Sequence, residues 1–201
     1  RETGAFGWKQ LRVALDSSPL RGAGRVEDTW NLIGRAMNKL VAIIARLTGV
    51  EADELIEEAG LTILQGPSIK ATLDIDWDDH DARSDALLLL LDQARALLSW
   101  AEKHATEVIE QPPVADAKRL LERIISQDTE PDPERSDRQR LRQGVAAGRL
   151  CSVGDPQMRH GRKNKTKAFN GYKRHVVASL DVPLILDAHA RPANEPEHES
   201  A

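Results

Sequence analysis

The apolar residues of this chain change their spacing twice along the sequence, and these changes limit the folds that it can adopt. From Trp8 to Leu15 they alternate loosely, which predicts a β-strand that ends at the turn Asp16-Ser-Ser-Pro. From about residue 28 to 126 they recur at helical spacing. Two more alternating segments, Tyr172 to Leu180 and Leu184 to Ala190, predict a β-hairpin. This order predicts an α+β fold with one sheet, whose first strand is separated from the next two by a helical insertion.

Turn and capping residues divide the helical block into separate helices. A long amphipathic helix begins near Asp28 and stops at Gly49, and a short acidic helix runs from about Glu51 to Ala59. After an acid-rich loop, Gly66 to Asp79, further helices are expected from about Asp81 to Glu107 and from about Val114 to Ser126. The predicted boundaries are a first strand with a Gly-rich loop at 1–27, the helical insertion at 28–128, a linker at 129–149, and a basic segment with the hairpin at 150–201.

Composition excludes several classes of protein. With 40% hydrophobic and 30% charged residues, the chain is neither wholly disordered nor a typical membrane protein. Cys151 has no second cysteine to pair with, which favours a reduced, cytoplasmic setting, and the histidines lack the spacing of a zinc site. The chain begins with Arg rather than Met and ends without an evident closing element, so we expect it to be a fragment.

Positive charge is concentrated in the last third of the chain. Residues 1–134 carry a net charge of -10, whereas residues 135–201 carry +6. The stretch from Asp155 to Val177 holds seven Lys and Arg and no acid after Asp155. Such a stretch can neutralise backbone phosphates of DNA, although a solvated loop with lysines for solubility would have the same composition. The candidate DNA-binding residues are Arg159, His160, Arg162, Lys163, Lys165, Lys167, Lys173 and Arg174.

Asp16 is the candidate catalytic and metal-binding residue. An aspartate at the end of a strand, followed by small hydroxyl residues, can present its oxygens to a hard divalent ion such as Mg²⁺. The same residue could instead cap the strand end as an Asx-turn, with its side chain bonded to a nearby backbone N–H. The residues alone leave both interpretations open.

Three motifs occur in the order found in one enzyme family. The segments LDSSPLRGAGRVEDTWNLIG, DPERSDRQRLRQGVA and SVGDPQMRHGRKNKTKAFNGYKRHV resemble bacterial insertion-sequence transposases of the DDE class, as does the closing DVPLILDAHARPANEPEHES. The resemblance implies a ribonuclease-H-like fold, of which this chain would hold the first strand and the hairpin. It also implies metal-dependent cleavage and joining of DNA strands by three carboxylates that hold Mg²⁺ or Mn²⁺.

The resemblance assigns the first of these carboxylates to Asp16 and places the second Asp and the Glu beyond the closing segment. Asp181 and Asp187 lie too early to replace them, so we expect this chain to be inactive alone. The implied partners are the insertion-sequence ends and target DNA, with a homodimer for the full-length enzyme and a nucleoid-associated location when bound to DNA.

Two other classes of protein remain compatible with the sequence. One is a non-catalytic DNA-binding or regulatory protein, in which the helical block mediates dimerisation and the basic segment anchors DNA. The other is a helical scaffold with an incidental basic loop. A helix-turn-helix reader around Gly49 to Leu61 is disfavoured, because its second helix is strongly acidic and would repel DNA.

Overall fold

The computed structural model describes residues 12–195 of an α+β protein with two compact units. The sheet unit combines the chain up to Val26 with the chain from Leu150 onward. The helical unit is the stretch between them, Glu27–Arg149. The predicted α+β class, with a helical insertion between the first strand and the hairpin, is therefore confirmed.

The helical unit contains five α-helices and one short 3-10 turn in the described residues. They are α1 (Thr29–Thr48), α2 (Ala52–Glu58), the 3-10 turn (Thr62–Leu64), α3 (Ile69–Leu73), α4 (His80–His104) and α5 (Pro112–Asp128). Helix α5 begins at the proline pair rather than after it, because a proline in the first turn of a helix loses no intrahelical hydrogen bond. Helix α3 lies in the predicted acid-rich loop, where Ser68 caps it by accepting a hydrogen bond from Ala71 N at 3.2 Å.

Aliphatic side chains form the core of the helical unit. Helix α1 packs against α5 and also contacts α4, and its buried face includes Leu32, Leu40 and Ile44. Each fully buried Leu or Ile stabilises a fold by roughly 1.5–3 kcal/mol. None of the helices within residues 12–195 is long and apolar enough to cross a membrane.

The predicted linker at 129–149 contains a small hairpin of its own. Strand β2 (Thr129–Pro131) pairs with β3 (Gln139–Leu141) in an antiparallel two-stranded sheet. Ion pairs support this hairpin: Glu130 lies 2.8 Å from Arg140, and Asp128, just before β2, lies 2.5 Å from Arg149. The composition of this segment suggested a linker because its residues are mostly polar and charged. In the structure, charged side chains rather than apolar ones stabilise its two strands.

The sheet unit contains strands β1 (Val13–Arg21), β4 (Arg159–Arg162), β5 (Ala168–Ser179) and β6 (Ile185–Pro192). Strand β5 is central, since its residues pair antiparallel with β1 and with β6. Its first four residues pair with β4. The predicted hairpin is confirmed as β5 and β6, and the first strand joins it in the same sheet.

The prediction that the first strand ends at Asp16 is wrong. Strand β1 continues through Asp16, which pairs with Val176, as far as Arg21, which pairs with Gly171. Pro19 is tolerated because β1 is an edge strand within the described part of the chain, where a missing N–H need not cost a ladder hydrogen bond. Residues before Arg12, including Trp8 of the predicted strand, lie outside the described residues.

Candidate nucleic-acid interface

A tight turn between β4 and β5 presents four cations to solvent. The basic turn, as we call residues 162–167, contains Arg162, Lys163, Lys165 and Lys167, all of them exposed. Its backbone is closed by a hydrogen bond from Lys163 N to Lys167 O at 2.9 Å. Asn164 Oδ1 also accepts hydrogen bonds from the N–H groups of residues 166 and 167, at 3.0 and 2.8 Å. The turn therefore has internal order and places its three lysines beside the end of the sheet, next to Arg162 at the end of β4.

The four cations of the basic turn make no ion pair with any other residue between 12 and 195. Many cations of the helical unit, in contrast, are neutralised locally, such as Arg138 by Asp85 at 2.5 Å and Lys118 by Glu102 at 2.6 Å. A cation without a nearby carboxylate can pair with a phosphate without first breaking an internal salt bridge. The basic turn is thus the part of the predicted basic stretch that is free to bind a polyanion.

Net charge differs in sign between the two units. The residues of the sheet unit include 13 Lys and Arg against 8 Asp and Glu, a net charge of +5. Those of the helical unit include 15 against 24, a net charge of -9. A single-sign field of this kind attracts ligands of opposite charge and is weakened by salt. We therefore expect a polyanion to be attracted to the sheet unit rather than to the helical unit.

The other four candidate DNA-binding residues already have partners within the protein. Arg159 Nη1 donates hydrogen bonds to Pro156 O at 2.6 Å and Met158 O at 2.8 Å. His160 hydrogen-bonds Asn170. Lys173 Nζ donates to Glu195 O at 2.9 Å, and Arg174 donates to Ser18 Oγ at 3.0 Å. These residues support the shape of the interface, and the sequence pattern did not distinguish them from the four exposed cations.

Asp155 is a structural residue whose role the sequence did not indicate. Its carboxylate accepts hydrogen bonds from the Tyr172 hydroxyl, from Ala23 N at 3.1 Å and from Met158 N at 3.3 Å. Burial alone would raise the pKa of Asp155, but these hydrogen bonds together lower the pKa below its ordinary value. The carboxylate thereby connects the segment after β1 and the turn before β4 to β5.

Tyr172 is the single tyrosine of the chain, so its ionisation can be measured without interference from another tyrosine. Burial and the hydrogen bond to Asp155 raise its pKa to about 12. We expect the tyrosinate absorbance of the native protein to rise at about that pH, whereas Asp155→Asn should move the midpoint down towards the ordinary value of about 10. A spectrophotometric pH titration measures this midpoint.

The hydrogen bond between Tyr172 and Asp155 makes the free energy of unfolding depend on pH in both the alkaline and the acidic range. The folded-state pKa of Tyr172 is raised, so its contribution is present below pH ~10 and is lost as the pH rises towards 12. The folded-state pKa of Asp155 is lowered, so its contribution is present above its unfolded pKa of about 3.9 and is lost as the pH falls through the folded value. An unchanged tyrosine midpoint in a folded Asp155→Asn protein would contradict this account of the contact.

Asp16 lies in the middle of β1 with its side chain exposed. Successive side chains of a strand point to opposite faces, so Asp16 shares a face of the sheet with Ser18 and with Arg174, which pairs with Ser18. The alternative role of Asp16 as a strand cap is not supported, because the strand continues for five residues beyond it. The side chain is accessible and is positioned by a paired strand.

Asp16 by itself does not make a metal centre. Among residues 12–195, no group of three or more His, Cys, Asp or Glu side chains comes together in a way that could hold a metal ion. Since a Mg²⁺ site within a protein usually combines carboxylate oxygens with water or substrate phosphates, Asp16 could contribute one such oxygen ligand. The described residues alone do not fit the two-metal arrangement.

The opposite face of the sheet carries two stacked histidines. His175 and His189 are cross-strand neighbours on β5 and β6, and their ring centroids lie 5.1 Å apart. Asp187 Oδ2 lies 3.0 Å from His189 Nδ1. His175 Nδ1 and His189 Nε2 are buried and have no hydrogen-bond partner among residues 12–195. The histidine positions in the sequence gave no sign of this pair, since register rather than spacing brings the two rings together.

Comparison with known proteins does not identify a relative. Neither a protein-family model, nor a curated protein, nor a solved structure matches this chain.

Proposed function

We propose that this chain is part of a DDE-class transposase of a bacterial insertion sequence, with a partial ribonuclease-H-like sheet that binds DNA. Asp16 is then the first acid of the reaction centre, and the basic turn contacts the DNA backbone. Two features support the proposal: the resemblance of the three sequence motifs, and a fold in which a helical insertion separates β1 from its partner strand β5.

One observation supports the DNA-binding part: the basic turn has four exposed cations that make no ion pair within the described range 12–195. Positive charge on a polar turn binds phosphate oxygens without reading base sequence, because every nucleotide presents the same phosphate. The basic turn presents Lys and Arg side chains, and it contains no helix that could enter the major groove. We therefore propose binding that is electrostatic and independent of sequence.

The test is the salt dependence of duplex binding by the chain. Each phosphate that a protein cation neutralises releases condensed counterions, so the logarithm of the binding constant falls with the logarithm of salt by about 0.9 per contact. Four contacts predict a slope of about -3.6, with equal affinity for duplexes of unrelated sequence. Fluorescence anisotropy over a series of salt concentrations measures both quantities. A slope near zero, or no binding at low salt, would contradict the proposal.

The alternative is a non-catalytic DNA-binding protein with a helical dimerisation block. It is supported by the helical unit, which is compact and has an aliphatic core of its own. Both proposals require the basic turn to bind DNA, and they differ in the role of Asp16.

A further inference from the structure

A cavity of about 480 Å³ lies beside the basic turn, within the sheet unit. It is formed by β4, the beginning of β5 and the segment 193–195, which follows β6. Its volume falls within the range of roughly 300–1,000 Å³ that is usual for small-ligand sites. The cavity therefore has room for a group of the size of a nucleobase with its sugar.

Close backbone packing creates one wall of this cavity. Gly161 pairs with Phe169, and a Cβ at Gly161 would lie 2.4 Å from Ala193 O. A glycine is thus required for the segment 193–195 to lie against β4. Lys173 Nζ holds the other end of the segment by donating to Glu195 O at 2.9 Å. The wall is therefore fixed from two sides.

The chemistry of the lining combines an aromatic ring with the polar side chains of Lys173 and Asn194. Phe169 is partly exposed, so part of its ring is accessible. Asn170 and His160 hydrogen-bond each other on the face of the sheet opposite to Phe169, because successive side chains of a strand alternate between faces. Asn194, in the segment 193–195, is exposed and adds an amide to the lining. Arg162 follows Gly161 in β4 and pairs with Ala168, so its side chain also lies on the face opposite to Phe169 and belongs to the basic turn.

We propose that this cavity binds one unpaired nucleobase of the DNA that the basic turn holds. This inference rests on the proposed DNA binding. It adds that DNA with an unpaired base binds more tightly than fully paired DNA. Every base has a π-face that can stack on an aromatic ring, and side-chain amides can hydrogen-bond base edges. A base inside a duplex cannot reach Phe169 unless it leaves the stack, which costs least where it is already unpaired.

The experiment compares two short duplexes of the same length with the full chain. One is fully paired, and the other carries a single unpaired 2-aminopurine. The second duplex should bind more tightly, and its 2-aminopurine fluorescence should change on binding because the base enters the cavity. Phe169→Ala should reduce the preference for the unpaired base by about 5- to 100-fold, the usual effect of losing one stacked base. Phe169→Trp should retain the preference, since it keeps an aromatic face.

Two controls separate this inference from the proposed function. The variant with all four cations of the basic turn replaced by Ala should weaken binding of both duplexes while their affinity ratio stays nearly constant. If the chain binds both duplexes equally, with the expected salt slope, the cavity assignment is wrong and the proposed DNA binding stands. If it binds neither, both are wrong. Asn194→Ala, on an exposed side chain, should also reduce the preference, and an unchanged ratio in a folded Asn194→Ala protein would overturn the assignment independently of Phe169.

Discussion

Replacing Arg162, Lys163, Lys165 and Lys167 together by Ala is expected to remove most of the affinity of this chain for duplex DNA. The salt slope should become flatter by about 3 to 4 units, because about 0.9 unit is lost for each phosphate contact removed. At moderate salt this corresponds to a loss of affinity of at least a hundredfold. The fold should be retained, since all four side chains are exposed and form no ion pair with the rest of residues 12–195.

A matched variant distinguishes a local contact from a general effect of charge. Lys39, Arg46, Arg83 and Lys103 belong to the helical unit and also form no ion pair with another described residue. Replacing these four by Ala removes the same number of positive charges but should leave the salt slope nearly unchanged. Equal flattening in both variants would mean that net charge, rather than the basic turn, determines binding. Anisotropy titrations at several salt concentrations provide the comparison.

The four-cation variant leaves Arg159 unchanged, although this residue belongs to the basic stretch in the sequence. Its guanidinium donates to two backbone carbonyls of the turn before β4, so its removal would take one donor from each of these carbonyl groups. An effect of Arg159→Ala on DNA affinity could then come from a disturbed turn. The difference between Arg159 and Arg162 depends on tertiary contacts, which composition cannot predict.

Helix ends were predictable because the chemistry that determines them is local. Asp28 accepts a hydrogen bond from Asn31 N at 3.0 Å at the start of α1, and Gly49 ends the helix with a positive φ of 74°. Both residues act within one turn of their own position. The same holds for the hairpin β5–β6, whose alternating apolar residues and short turn are neighbours in sequence.

The path of β1 was not predictable from its own residues. Asp16, Ser17, Ser18 and Pro19 have the composition of a turn, yet all four pair with β5, which lies more than 150 residues further along the chain. The contact between Asp155 and Tyr172 likewise depends on the fold, because the two positions are 17 residues apart and strand β4 lies between them. Long-range pairing of this kind overrides local preference, and it placed Asp16 within a strand rather than at its end.

Asp16→Asn is expected to abolish strand cleavage in a transposase that combines this segment with the second Asp and the Glu. The substitution removes one negative charge while changing the side-chain volume very little. Loss of several kcal/mol of transition-state stabilisation corresponds to a rate reduction of at least about a thousandfold, since each 1.36 kcal/mol is tenfold. Cleavage of a labelled DNA end in the presence of Mg²⁺ measures the effect.

Folding and DNA binding should be unaffected by this substitution, because the Asp16 side chain is exposed and β1 is held by backbone pairing. Asp187→Asn provides the matched control. It is the same chemical change on the same sheet, but the Asp187 side chain lies on the opposite face from Asp16. There Asp187 pairs with Val177 and contacts His189. The control should keep its cleavage activity. Cleavage retained by Asp16→Asn, or lost equally in both variants, would remove Asp16 from the reaction centre and leave the non-catalytic DNA-binding protein as the better account of the fold.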